Sequence, residues 1–190
     1  METYMKWLRL LAVVAMFTPT LCLAAPVWSV VLEKSRLGFQ ATQAGGTITG
    51  AFKRFEAAIT FDPADLTSSH VHVTIDIASI TTDAPDRDAE LPKPEWFDIA
   101  RFPQATFIST RFKALGGDNY LTEGILTIRD VRIPISLPFT LKIDDGVATV
   151  RASLELDRAT FGVGQGDWAS SDVIGHNVTV IVELKARSSS

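Results

Sequence analysis

Apolar side chains occupy every odd position between Val131 and Ile143, and polar residues or prolines occupy every even position. Successive side chains of a strand point to opposite sides, so this strict period of two predicts a strand with one apolar and one water-facing face. The segment is longer than the roughly five or six residues usual for a strand. Its apolar face must either pack against a core or line an internal space.

The same alternation continues through most of the chain, with turn residues between the alternating segments. Glycine- and aspartate-rich turns at 116–119 and 144–146 predict hairpins. No long segment has the helical period of 3.6, so we expect an all-β, antiparallel fold. The other predicted strands are 27–32, 36–42, 47–52, 55–61, 70–77, 105–112, 120–128, 147–156 and 173–186.

Residues 84–103 interrupt the alternation. A short helix is predicted at 86–91, limited by Pro92 and Pro94, and Trp96 and Phe97 follow closely. Because an irregular segment so rich in aromatic residues tends to pack over something, we expect it to cover one end of the β structure.

Pro134 and Pro138 bear on how the strands close. Eight or more sequential strands that each bury one face must form a barrel or a sandwich. The two prolines are four residues apart, so their missing N–H groups point to the same side of the strand. We therefore expect one edge of this strand to be weakly paired or free, as at a partial seam of a barrel or at the edge of a sandwich sheet.

The N-terminus predicts export. Lys6 and Arg9 precede an apolar stretch at 10–17, and small residues follow at Ala24 and Ala25, a pattern typical of a secretory signal peptide cleaved after either alanine. The lone cysteine of the chain lies inside this peptide, so the predicted mature protein has no disulfide. We expect a signal peptide at 1–25, one domain at 26–187 and a frayed tail at 188–190.

Charge and composition exclude one class of partner. The whole chain has a net charge of −4, and removal of Lys6, Arg9 and Glu2 with the signal peptide leaves 16 basic and 21 acidic residues. Binding to phosphate backbones needs concentrated lysine and arginine, so we expect no nucleic-acid partner.

Candidate catalytic groups are few. His70 and His72 have the spacing of a shared zinc site, but alternation puts both on a polar face and no third ligand is near in sequence. His176 follows Asp172 without the Gly-x-Ser-x-Gly turn of a hydrolase. The carboxylates of Asp86, Asp88 and Glu90 surround Arg87, which favours a local ion network over a glycosidase pair. We therefore expect that the protein has no metal site and no enzymatic activity.

A series of short motifs runs in order along almost the whole predicted mature chain: 50–55 with 59–63, 73–76 with 79–80, 87–91, 96–98, 101–103 with 106–110, 124–128, the strand containing Pro134, and 157–158 with 161–163. Together these motifs resemble the YceI-like family of secreted lipid-binding proteins. The resemblance implies a lipocalin-like barrel that holds a polyisoprenoid chain, such as a quinone or a polyprenyl phosphate tail. It departs from the family at 34–36, where many members carry a His-Ser pair.

The segment 164–168 resembles a branch of the family found beside membrane-bound b-type cytochromes, which implies an isoprenoid quinone as ligand and such a cytochrome as partner. We predict a non-enzymatic periplasmic carrier without a cofactor, as a monomer or a homodimer. The predicted lipid-binding interior comprises Phe39, Phe55, Ile59, Ile75, Phe107, Leu126, Phe139 and Phe161. The predicted mouth and headgroup residues are Arg87, Trp96, Phe97, Gln165, Asp167 and Trp168.

Two alternatives remain open from the sequence. One is a structural or interaction module that docks on the cytochrome and whose barrel is filled by its own side chains; the other is a secreted hydrolase that depends on His176 or Asp88. A bore without room for a lipid chain would favour the first alternative over the carrier.

Overall fold

The computed structural model describes residues 25–189. Of the predicted signal peptide only Ala25 falls in this range; the rest lies outside the described residues. A short helix, α1 (Pro85–Glu90), interrupts the strands close to its predicted position. The strands are β1 (Val27–Val30), β2 (Arg36–Gln43), β3 (Gly46–Phe52), β4 (Phe55–Thr60), β5 (His70–Asp76), β6 (Ile80–Thr81), β7 (Gln104–Gly116), β8 (Asn119–Ile128), β9 (Val131–Asp144), β10 (Val147–Asp157) and β11 (Ile174–Ser189).

Eight of the strands form a closed antiparallel barrel. Neighbours follow the order β1, β4, β5, β7, β8, β9, β10, β11, and pairing of β11 with β1 closes the ring. A short 3₁₀ turn at Leu32–Lys34 carries the chain from β1 into β2, which also pairs with β11. β2 and β3 form a hairpin that extends the walls begun by β1 and β4, and β6 extends the wall of β5. Of the two folds that the sequence allowed, the structure is therefore a barrel and not a sandwich.

The observed ends of β1 and β11 differ from the predicted ones because these two strands pair to close the barrel. Ser188 and Ser189, expected to fray, pair with Trp28 and Val27 of β1 and complete the barrel wall. The predicted strand 27–32 ends at Val30, because the chain leaves β1 there for the turn that leads into β2.

The predicted seam is present between β9 and β10. Their ladder joins only Phe139–Asp144 to Val147–Ala152, so 131–138 and 153–157 have no strand pairing across this line. The amide of Leu141 donates to the carbonyl of Asp118 on the β8 side. Odd residues of β9 therefore hydrogen-bond towards β8 and even residues face β10. The missing N–H groups of Pro134 and Pro138 lie on the unpaired edge, as predicted.

Most of the buried apolar residues form two separate clusters, one at each end of the barrel. The base cluster includes Trp28, Phe61, Phe112 and Leu141. The lid cluster joins strand ends to two connecting segments, 82–103 and 158–173, which we call the lid. The expectation that the irregular segment covers one end is confirmed. No single core fills the middle of the barrel. Within residues 25–189, no helix has the length and apolar character needed to cross a bilayer.

Candidate ligand cavity

A cavity of about 700 Å³ occupies the barrel between the base and lid clusters. Sites for small ligands commonly have volumes of about 300–1,000 Å³. Its walls are built almost entirely by the inward, apolar positions of the alternating strands, such as Ala57 of β4, Leu137 of β9, Leu154 of β10 and Val180 of β11. The barrel is therefore not filled by its own side chains, and the filled barrel of the interaction-module alternative is wrong.

Two glycines on the inward face help to keep this space open. Gly50 lies directly opposite Phe39, and Gly124 lies beside Phe107. A Cβ atom on Gly124 would come within 2.5 Å of the Phe107 ring, and one on Gly50 would collide with the Phe39 ring. Because these positions lack a side chain, both phenyl rings lie against the wall instead of crossing the bore.

An aromatic plug closes the base end. The ring of Phe61 makes edge contacts with Phe112 and Tyr120 at centroid distances of 5.2 and 5.6 Å, and Tyr120 stacks on Phe139. The indole Nε1 of Trp28 donates to the carbonyl of Phe61 over 2.9 Å. Edge-to-face packing and a satisfied indole make this floor well defined.

The residues predicted to line the interior all lie around this cavity. They are Phe39, Phe55, Ile59, Ile75, Phe107, Leu126, Phe139 and Phe161. Of the predicted mouth residues, Arg87, Trp96, Phe97 and Trp168 also contribute to its wall. The positions of Gln165 and Asp167 are different. Both are exposed and outside the cavity: the Gln165 side chain turns back to donate to the carbonyl of Gly162, and Asp167 lies in the short 3₁₀ turn Gly166–Trp168.

The two lid segments are tied to each other. The amides of Gly164 and Gln165 both donate to the carbonyl of Glu95. The guanidinium of Arg129, in the tight turn between β8 and β9, donates to the carbonyls of Trp96 and Gly162, one from each segment. These bonds hold the lid as one unit, and the rings of Trp96 and Trp168 meet in its interior at 5.6 Å.

Arg158 holds the second lid segment to the barrel. Its side chain is 5% exposed, and its five N–H groups donate to backbone carbonyls of Val163, Gly164, Trp168, Ile174 and Gly175. Burial lowers the pKa of Arg158, although nearby Asp157 opposes this effect. Since each donor already has an acceptor, Arg158 has none left for a ligand, even though it touches the cavity.

The polar part of the cavity wall lies beside α1. Arg87 donates from Nε and Nη2 to the side-chain oxygen of Gln43, over 3.3 and 3.0 Å. The carboxylates of Asp86 and Glu90 belong to the same part of the wall. A polar group at the end of an otherwise apolar ligand would find hydrogen-bonding partners at this site.

Asp88 fixes α1 to the neighbouring strand. Its carboxylate accepts bonds from the Thr82 amide, the Thr82 hydroxyl and the Thr81 hydroxyl, over 2.6–2.9 Å. Burial acts to raise the pKa of Asp88, but the bonds from Thr82 and Thr81 outweigh it and hold the pKa below the ordinary value. Asp88 is therefore a structural anchor.

Comparison with known proteins now identifies the fold family. The model of the YceI-like domain matches residues 28–186, almost the whole described chain. This chain belongs to the YceI-like family.

Relatives differ in how far the similarity extends. A UPF0312 protein of Enterobacter sp. strain 638 is 39% identical over 108 residues, 56% of this chain and 56% of its own length. Protein YceI of Salmonella arizonae is 37% identical over 110 residues, 57% of each chain. The matched part thus spans just over half the length of these curated relatives.

Solved structures match over more of the YceI-like barrel. BcnA of Burkholderia cenocepacia superposes with a TM-score of 0.80 and 30% identity, covering 83% of this chain and 99% of BcnA. A domain of Saccharophagus degradans, described as polyisoprenoid binding and implicated in plant cell wall breakdown, has a TM-score of 0.69. It is 17% identical, with coverage of 87% of this chain and 99% of the domain, and so shows a shared fold.

The other candidate sites do not assemble in this YceI-like barrel. His70 and His72 are exposed on the outer face. His176 bonds through Nε2 to the carbonyl of Ala169 at 2.8 Å, whereas Asp172 accepts from Ser170. Across residues 25–189, no three His, Cys, Asp or Glu side chains come together as a metal site.

Sequence reasoning missed three residues that shape the cavity. The alternation around Gly50 and Gly124 could have placed both on the inward face, since Gly50 lies between Ile48 and Phe52 and Gly124 between Thr122 and Leu126. Nothing local indicates that Arg158 is buried, since its partners are backbone carbonyls brought together by the lid and β11.

Proposed function

We propose that this protein is a non-enzymatic periplasmic carrier of an isoprenoid lipid, whose tail lies in the barrel cavity. The observation that supports the proposal is the apolar space of about 700 Å³ between the two end clusters. Transfer of each CH₂-sized group from water contributes about 0.8 kcal/mol before ordering costs, so a few isoprene units suffice for retention. The S. degradans domain, which shares this fold, is described as polyisoprenoid binding.

The polar wall beside α1 favours a neutral headgroup, such as a quinone, over a polyprenyl phosphate. Arg87 contributes one positive charge there, and two of its five N–H groups are engaged by Gln43. Asp86 and Glu90 contribute two carboxylates to the same part of the wall, and that of Glu90 is paired with Lys93. The wall therefore has no excess of positive charge to hold a phosphate dianion, whereas a quinone oxygen needs only a donor such as the remaining N–H groups of Arg87.

Native mass spectrometry of protein purified without detergent tests the proposal. We expect a bound species with the mass of a prenyl lipid, or uptake of an added benzoquinone with a tail of a few isoprene units. A folded protein that neither retains nor takes up any prenyl lipid would contradict it.

Headgroup preference is tested separately with Arg87→Gln. We expect this change to weaken binding of the prenylated quinone and to leave a prenyl alcohol of equal tail length nearly unaffected. Stronger binding of a prenyl phosphate than of the quinone by the unchanged protein would argue against a neutral headgroup. Docking on a membrane-bound b-type cytochrome stays a prediction, as do export to the periplasm and the oligomeric state.

A further inference from the structure

The seam between β9 and β10 is a stretch of barrel wall without inter-strand hydrogen bonds. If their ladder continued beyond Phe139 and Ala152, the even residues 138, 136 and 134 would face 153, 155 and 157 in turn. Pro138 and Pro134 have no N–H group, so only Ser136 could donate from β9. Two of the three donors that β9 would contribute to this wall are therefore absent from the sequence, whereas the amides of residues 153, 155 and 157 on β10 remain without strand partners there.

No side-chain bond replaces the missing ladder among the described residues of the seam. The Glu155 carboxylate accepts from Asn177 on β11, the side away from β9. The Asp157 carboxylate caps the following 3₁₀ turn by accepting from the Ala159 amide. Contact between the two strands along the seam is thus left to apolar side chains.

Cavity-lining side chains flank the seam on both sides. Ile135 and Leu137 of β9 and Leu154 and Leu156 of β10 line the cavity, yet each remains only half-buried. The residues between them on the outer face, such as Ser136 and Ser153, are exposed. Along the seam no strand ladder lies between the cavity and solvent. At about 3.3 Å per residue, the five residues 153–157 span roughly 16 Å, which is ample for a thin hydrocarbon chain.

Both ends of the barrel are held more firmly. The lid is joined by bonds from Arg129, Arg158, Gly164 and Gln165 to backbone carbonyls. The base is closed by the aromatic plug and the bond from Trp28. Opening the seam breaks none of these bonds.

We propose that the seam is the passage through which the tail of the ligand enters and leaves the cavity. Pro134 and Pro138 keep β9 and β10 unpaired there. This inference rests on the proposed carrier function. It predicts that closing the seam slows entry and exit of the ligand together, while the equilibrium affinity stays the same.

A reversible cross-link tests the passage. Ser136→Cys and Glu155→Cys place thiols opposite each other in the continued register, and a Cys22→Ser background removes the natural thiol. Transfer of a prenylated benzoquinone from the protein to phosphatidylcholine vesicles is followed by fluorescence of Trp28, Trp96 and Trp168, which line the cavity. The same protein after reduction is the control.

We expect the rates of quinone uptake and release to be at least about tenfold lower in the oxidised protein, with unchanged affinity. Reduction should restore both rates. Equal rates in the oxidised and reduced protein would contradict the proposed passage but not the carrier function. Absence of prenyl-ligand binding by the reduced protein would contradict the carrier function and, with it, the passage.

A second variant tests the role of the prolines without a disulfide. Pro134→Val/Pro138→Val restores both donors, and Pro63→Val, in an exposed turn away from the seam, is the matched control. We expect the amides of Ser153 and Glu155, which face the seam, to become protected from hydrogen exchange, and quinone transfer to slow. Protected amides with unchanged transfer would overturn the passage, and unprotected amides would overturn the assignment of the opening to the prolines.

Discussion

Arg158 is a buried cation whose bonding is entirely to backbone. No carboxylate of the described residues forms a salt bridge with it, and its five carbonyl partners come from three separate stretches of chain. A planar guanidinium offers five donors in fixed directions, whereas a lysine ammonium offers three. The shape of the side chain, rather than its charge alone, holds the second lid segment.

We therefore expect Arg158→Lys and Arg158→Met both to destabilise the protein, by about 2–5 kcal/mol, because buried carbonyls lose their donors. The measurement is the free energy of unfolding in urea. Arg132→Met, at an exposed position of β9, is the control and should change stability by less than about 0.5 kcal/mol. A lysine variant as stable as the natural protein would contradict the requirement for the guanidinium.

Gly124 is a residue whose lack of a side chain positions another residue. We expect Gly124→Ala to destabilise the barrel by about 1–3 kcal/mol, because the new methyl group meets the Phe107 ring and the Ile108 carbonyl, each at 2.5 Å. Gly46→Ala is the control, since its Cβ would meet its nearest atom at an ordinary 3.5 Å. Thermal unfolding of both variants provides the measurement, and equal losses would show that the close contact is unimportant.

At the scale of elements, α1 depends on an ionised carboxylate. The pKa of Asp88 is below its ordinary value of 3.8 in the folded protein, because bonds from Thr82 and Thr81 outweigh the effect of burial. A depressed pKa adds stability that is fully present above the unfolded pKa and is lost as the pH falls through the folded pKa.

We expect Asp88→Asn to destabilise the protein at neutral pH, and the difference from the natural protein to shrink as the pH falls from about 4 towards lower values. Urea unfolding at a series of pH values measures this. Ala89→Gly, at an exposed position of the same helix, lowers helix propensity without removing a charge, so its stability difference should not shrink at acid pH. A stability difference that stays constant down to acid pH would mean that the charge of Asp88 contributes nothing.

The elements also show what periodicity can predict. Strands such as β8 and β9 follow from alternation nearly to the residue, because a half-buried strand imposes its period directly on the sequence. The seam followed as well, since proline removes a donor wherever it stands. The bend between β1 and β2, and the pairing of Ser188 and Ser189, did not follow, because both result from closing the ring between distant segments.

At the scale of the whole molecule, the inward face was predictable but the empty space behind it was not. Phe55 and Phe139 were assigned inward from alternation, and both line the cavity. An inward side chain packs equally well against a core, so whether the bore is open depends on the sum of all side-chain volumes. The family resemblance supplied that expectation, and Gln165 and Asp167 show its limit, since a local turn directs both outward.

The open bore leads to a prediction about ligand length. Ala152 points into the cavity from β10, and Arg151 beside it is exposed on the outer face. Ala152→Phe would place a ring in empty space, so we expect the free energy of unfolding to change by less than about 1.5 kcal/mol while the cavity loses volume.

The variant should then bind prenyl alcohols with short tails as before and lose affinity for longer ones, at about 0.8 kcal/mol for each CH₂-sized group left outside. Tryptophan fluorescence titration with alcohols of increasing tail length measures the change. Arg151→Phe adds the same ring on the outside and should leave the length dependence unaltered. If Ala152→Phe binds the whole series like the natural protein, the tail does not occupy this part of the bore.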